Sequence, residues 1–192
     1  MEVDLAGSVA VVAGAGGPLA DACRSALAAN GATVVTAAQA GEIAEIRARA
    51  SRLDILVHFA AGSDAATTEA LCRSAGGAMA RGGRMVNVDS ARGLIPVRGE
   101  GAASASAAAV FALTRSLALE FGTSGIRINA LAVGPAQPGD ERLLSHTPLG
   151  RAADPEEVAS ALLFLVDPEN SYTTGHVLAV DGGWTAGFAR NF

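Results

Sequence analysis

Six short apolar runs recur along the chain: Val9 to Ala13, Thr33 to Ala37, Asp54 to Phe59, Arg84 to Val88, Arg127 to Val133 and Val177 to Val180. Each is too short for a buried helix and largely apolar without strict alternation, so each reads as a strand covered on both faces. Helical spacing fills the intervals. Leu19, Cys23, Ala26 and Leu27 share one side after the first run, and helix-like stretches follow at Glu42 to Ala50, Thr67 to Ala80, Ala102 to Phe121 and Pro155 to Val166. Continuous apolar strands alternating with helices dictate a parallel sheet with helices on both faces. The expected architecture is α/β, a Rossmann-like doubly wound sheet in one domain spanning residues 1–192.

Composition removes whole classes of function. The net charge is -5 and the basic residues are scattered, which argues against a nucleic-acid partner. Cys23 and Cys72 follow no metal-ligand or redox spacing and read as reduced thiols. The start Met1-Glu2-Val3-Asp4 is acidic where a signal peptide would be basic, and no apolar run reaches membrane-spanning length; the expectation is a cytoplasmic protein with no membrane partner. His58, His146 and His176 are too far apart in sequence to suggest a metal site, and none is expected. All 14 basic residues are arginine, so any mechanism that needs a lysine on this chain is excluded, and there is a single tyrosine, Tyr172.

The second half carries a dense set of motifs. Gly83-Arg84-Met85-Val86-Asn87-Val88-Asp89-Ser90 is followed by Ser116-Leu117-Ala118-Leu119-Glu120-Phe121 and Gly125-Ile126-Arg127-Ile128-Asn129-Ala130. Pro155-Glu156-Glu157-Val158-Ala159, Ser171-Tyr172-Thr173-Thr174-Gly175 and Val180-Asp181-Gly182-Gly183-Trp184 complete it. Together these runs resemble the short-chain dehydrogenases/reductases over nearly the whole chain. The likeness implies a nicotinamide-dependent oxidoreductase scaffold, shortened by about one βα unit, because a single helix separates Thr33 to Ala37 from Asp54 to Phe59 where the family has helix, strand and helix. The stretch Gly62 to Gly83 and the lid-like loop Pro135 to Thr147 are also brief.

Set against that resemblance, the site positions are altered. The family's phosphate-binding glycines become Gly14, Pro18 and Ala20; proline lacks an N–H, and Pro18 reads instead as the first residue of a helix. Gln39 stands near the acidic ribose partner's position, and His58 leads the turn that would wall the adenine, where it is expected to fill vacated space. Ser90 matches the family's catalytic serine. Aligning Ser104-Ala105-Ser106 puts Ala103 at the tyrosine and Ala107 at the lysine of the proton-exchanging pair. No catalytic or cofactor-binding residue is therefore expected on this chain, and no bound cofactor; an NAD or NADP cofactor is assigned to a partner.

The helix from Ala102 to Phe121 is apolar twice over. Val110, Leu113, Leu117 and Phe121 form one stripe, while Ala108, Phe111, Ala112 and Leu119, with Arg115 among them, form another on roughly the opposite side. A second apolar stripe predicts a second covering subunit, with Tyr172, Trp184, Phe188 and Phe192 as further contacts. The resulting expectation is a non-catalytic pseudoenzyme subunit that joins a full-length family member in a hetero-oligomer, a heterotetramer in the first instance. Its pattern of losses is similar to that of the inactive subunit of heterotetrameric dehydrogenases in toluene degradation. Two alternatives are an enzyme with displaced chemistry using Ser90, Asp89 or His58, and a small-ligand sensor using the remnant cleft.

Overall fold

The computed structural model describes residues 2–14, 16–37, 43, 52–136 and 144–187. Its strands are β1 (Val9–Gly14), β2 (Thr33–Ala37), β3 (Leu53–Phe59), β4 (Met79–Ser90), β5 (Arg127–Val133) and β6 (Val177–Val180). The helices are α1 (Pro18–Ala29), α2 (Ala65–Ala78), α3 (Gly101–Gly122) and α4 (Pro155–Val166), with a short 3₁₀ turn at Ala91–Gly93. All six strands pair in parallel in the order β2-β1-β3-β4-β5-β6. The six runs expected as strands are the six strands found. The chain runs outward from β1 to β2 and then crosses back to β3, so the topological switch point lies between β1 and β3.

Both faces of the sheet are covered, which is why its strands read as unbroken apolar runs. On one face α1 and α4 pack Cys23, Leu27, Leu162 and Val166 onto Ala10, Val12, Ile55 and Val57. On the other, α2 and α3 pack Leu71, Cys72 and Leu117 onto Val11, Leu56, Met85 and Ile128. The helix starts follow from local chemistry. The Asp64 carboxylate accepts from the Thr67 N–H at 2.7 Å, Asp154 and Glu157 form a capping box, and Pro18 and Pro155 take first-turn positions where their missing N–H costs nothing.

Several expectations need adjusting. The second helix begins at Ala65 and ends at Ala78, and β4 starts at Met79, five residues before the apolar run. The helix expected from Glu42 to Ala50 lies outside the described residues except for Ile43, which is buried. By length and composition α3 alone, among the described residues, would suffice to cross a membrane, against the expectation that no run would; its Val110, Thr114 and Leu117 are instead buried in this fold, as in a core helix.

Candidate functional site

A cleft of about 330 Å³ opens at the carboxyl ends of β3, β4 and β5, beside the switch point, with Leu19, Phe59, Asp89, Ser90, Arg92 and Trp184 among its lining. This is the end of an open parallel sheet where ligands bind in doubly wound folds. At its edge β1 turns into α1. Gly14 adopts φ +96°, and a Cβ there would stand 2.2 Å from the Phe59 carbonyl oxygen, so only glycine lets β1 pass so close to β3. Gly17 (φ +119°) caps α1 without a side-chain acceptor, and a Cβ at Gly16 or Gly17 would meet nothing within 4 Å.

This geometry speaks directly to whether a dinucleotide fits. The first-turn N–H groups of Leu19 and Ala20 have no partner inside the helix, and the positive end of α1 is left open to an anion. Pro18 is exposed at the first helical position, where it removes an N–H but closes nothing off. Ala20 is buried at 2%, its methyl absorbed into the cluster containing Val12 and Leu27. The glycines and the start of α1 thus leave room for an anion. Gln39 lies outside the described residues.

Beyond the loop, Asp89 and Ser90 end β4. Ser90 is half-buried, and its Oγ accepts from the Arg92 N–H at 3.3 Å. Asp89 is 7% exposed; its carboxylate accepts from the Ser90 N–H at 2.7 Å and takes part in no ion pair among the described residues. Burial without a compensating cation raises its pKa, the Ser90 N–H opposing this more weakly. Ala103 is exposed in the first turn of α3. Ala107 is 1% exposed, and a Cβ on Gly93 would stand 2.6 Å from its carbonyl carbon, so the 3₁₀ turn lies directly on this part of the helix. Trp184 is held at the cleft by Asp181, whose carboxylate accepts from the Gly183 and Thr185 N–H groups at 2.9 and 2.8 Å.

His58 does not fill an adenine pocket. It is 2% exposed within β3, paired in register with Asn87, and its Nδ1 has no partner. Asn87 accepts from Cys72 Sγ at 3.5 Å and donates to Thr114 Oγ1 at 3.0 Å, forming a small polar network beneath the cleft. Burial lowers the His58 pKa, with a hydrogen bond to Asn87 opposing it. The unfolded chain therefore binds this proton more readily than the fold, and stability rises with pH through the window just below 6.5. Urea unfolding at pH 7.5, 6.5 and 5.5 is expected to show the parent losing up to about 1.4 kcal/mol per pH unit relative to His58→Asn within that window. Equal slopes for the two proteins would refute the assignment. Cys23 and Cys72 are buried thiols pushed up to about 12, which makes them inert at neutral pH. His146 and His176 are exposed, and among the described residues no three His, Cys, Asp or Glu side chains converge as metal ligands.

The expected contact residues divide. Ala108, Ala112 and Arg115 are exposed on α3, Leu119 is 82% exposed and Tyr172 fully so; the described residues leave this face of α3 uncovered. Phe111 is corrected: at 1% exposure it packs with Ala91, Val110 and Ala130 under the 3₁₀ turn and cannot meet another chain. Trp184 is half-buried against the same cluster and walls the cleft. Phe188 and Phe192 lie outside the described residues.

Comparison with known proteins places this geometry. Residues 64–185 match the family described as Enoyl-(Acyl carrier protein) reductase. The chain is 45% identical over 128 residues to galactitol 2-dehydrogenase (L-tagatose-forming) of Cereibacter sphaeroides, covering 59% of this chain and 50% of the relative. It is 43% identical over 113 residues to cis-4-hydroxycyclohexanecarboxylate dehydrogenase of Sinomonas cyclohexanicum, covering 54% and 45%. A 3-oxoacyl-[acyl-carrier-protein] reductase of Thermotoga maritima is 42% identical over 112 residues, covering 54% and 46%. The chain thus spans about half the length of the curated relatives it matches. In fold it follows a short-chain dehydrogenase/reductase from Serratia marcescens with TM-score 0.86 at 21% identity, covering 94% of this chain and 99% of that one.

Two expectations are overturned by these relatives. They are named as dehydrogenases and a reductase, so the kinship of the chain is with oxidoreductases, and the reading of a non-enzyme is withdrawn. The reading that this chain binds no cofactor falls with it, because such reactions need a hydride carrier and Gly16, Gly17 and the start of α1 leave room for its phosphates.

Proposed function

The chain belongs to the short-chain dehydrogenase/reductase family, and on that premise we propose that it is a nicotinamide-linked oxidoreductase subunit acting on a secondary alcohol or ketone, assembled with a full-length family member. The observation that carries this reading is the convergence of the open N-terminus of α1 and the buried carboxyl of Asp89 on one end of the sheet. A bound dinucleotide would supply or accept the hydride. The residues of this chain do the rest. Gly16 and Gly17 would leave room for its phosphates, the Leu19 and Ala20 N–H groups would meet their charge, and Phe59 and Trp184 would wall the cleft against water.

Proton exchange falls to Asp89 in this scheme. With alanine at 103 and 107 no phenol or ammonium is available from those positions, whereas a carboxyl raised by burial exchanges a proton nearer neutral pH than an ordinary one. Support for the partner comes from α3, where the small side chains of Ala108 and Ala112 beside the exposed Leu119 allow close approach of another helix. A setting in toluene degradation rests on the pattern of sequence losses, and no residue in the cleft specifies an acyl-CoA.

The test is co-expression with a full-length family member, size-exclusion chromatography, and NADH titration by fluorescence of the chain alone and of the complex. Expected are binding of NADH, co-elution that Leu119→Asp abolishes, and Asp89→Asn retaining NADH binding while turnover falls about 10²-fold or more. Absence of NADH binding both alone and in complex would overturn the proposal.

A further inference from the structure

At the opposite end of the sheet lies a second cavity, about 550 Å³, at the amino ends of β4 and β5. Three arginines line it, Arg81, Arg84 and Arg127, with Gly82, Gly125 and Tyr172; no carboxylate does. We infer that this cavity is a binding site for a phosphate monoester, held by these guanidinium groups with its organic part against Tyr172. Nothing in the dehydrogenase reading requires a site here, because the dinucleotide and substrate lie at the other end of the strands.

The charge balance is the first argument. The chain carries a net charge of -5, so clustered cations are no by-product of a basic surface. Among the described residues none of the three arginines forms an ion pair. The partners of Arg84 and Arg127 are main-chain carbonyls. Arg84 Nη1 donates to Val166 O at 2.9 Å, and Arg127 donates to Leu165, Asp167 and Thr173 carbonyls at 3.0, 2.9 and 3.4 Å. These bonds hold the guanidiniums in place but cancel no charge. Arg84 is 7% exposed and its Nε has no acceptor.

The second argument is placement. Arg81 is exposed, and its stem rides over Gly125, where a Cβ would come within 2.8 Å of Arg81 Cγ and 2.9 Å of Nη1. Gly125 adopts φ +72°, so the position both demands glycine and leaves the arginine its bed. Burial lowers the pKa of Arg84 and of Arg127, and Arg84 lowers that of Arg127 further; Asp54 and Asp167 act on Arg84, and Asp167 on Arg127, in the opposite sense, and Arg52 on Arg84 in the same sense. Such a cluster gains from a dianion that presents several acceptor oxygens to fork-shaped donors. Tyr172, fully exposed at the rim, offers an aromatic face, and Ser171 brings a hydroxyl beside it.

The experiment uses the full chain and inorganic phosphate as probe, with chloride at matched ionic strength as control. Calorimetry is expected to show phosphate binding that Arg81→Gln weakens about tenfold. Because Arg81 is exposed, that variant is expected to keep the parent's unfolding midpoint, which separates lost binding from lost folding. Hydrogen exchange is expected to show phosphate protection over residues 79–85 and 168–175. Undiminished binding by Arg81→Gln, protection at residues 17–21 instead, or no binding at 10 mM phosphate would each overturn the inference. Retention of NADH binding by Arg81→Gln is expected throughout, so failure here and failure of the dehydrogenase reading are distinct results.

Discussion

Gly14→Ala is expected to destabilise the protein by more than about 4 kcal/mol, enough to abolish folding in a domain of ordinary stability. Two costs combine. Alanine at φ +96° carries backbone strain of roughly 1–3 kcal/mol. The larger cost is steric, since the new methyl would sit 2.2 Å from the Phe59 carbonyl oxygen, a backbone atom that cannot rotate away. Relief requires β1 to part from β3 where Gly14 and Phe59 pair. Gly17→Ala separates the two costs: its φ of +119° is as strained, but a methyl there meets nothing within 4 Å. Urea unfolding followed by circular dichroism should show that variant folded and weakened by about 1–3 kcal/mol. Similar losses in the two variants would mean that the β1–β3 contact is not as close as described.

Arg127→Ala is the second large effect, expected at about 3 kcal/mol or roughly 6–12 °C in unfolding midpoint. The guanidinium donates to the carbonyls of Leu165 and Asp167 at the end of α4 and of Thr173 before β6. Helix ends leave carbonyls unpaired, and here a strand supplies the donors that a C-cap would otherwise provide. Arg127→Lys keeps the charge but presents a single donor group to acceptors spread around a planar fork, and recovery of no more than about half the loss is expected. Differential scanning calorimetry of the three proteins decides it. Full recovery by lysine would mean that charge at the helix terminus, and not the geometry of the fork, holds α4.

The strands were legible because burial on both faces forces unbroken apolar runs, a signal that needs no tertiary information. The early start of β4 was not: Ala80, Arg81 and Gly82 are exposed where the strand runs out from under its covering helices, so they carry no apolar signature. Phe111 shows the limit of helical spacing. Periodicity groups it with the outward Ala108 and Ala112, yet the 3₁₀ turn Ala91–Gly93 folds over it, and a Cβ on Gly93 would stand 2.7 Å from the ring. At the phosphate loop Pro18 does start a helix, as its fixed φ predicts, but it removes only one of the first-turn N–H groups, so it does not by itself exclude an anion. The arginine cavity was invisible for a different reason. Arg84 and Arg127 begin apolar runs as ordinary polar edges, and their surroundings depend on the end of α4, 82 residues beyond Arg84 and 40 beyond Arg127.

The layering of the sheet also sets an order for synthesis. The apolar side of α1, with Cys23 and Leu27, is covered by Leu162 and Val166 of α4. On a ribosome the first three strands and α1 emerge long before residue 166, so their greasy surface stays bare for most of translation. With every strand joined to the next in sequence across a long connection, little of that delay can be shortened by local pairing. Nascent chains of this protein should therefore be good clients for a holding chaperone until α4 clears the exit tunnel.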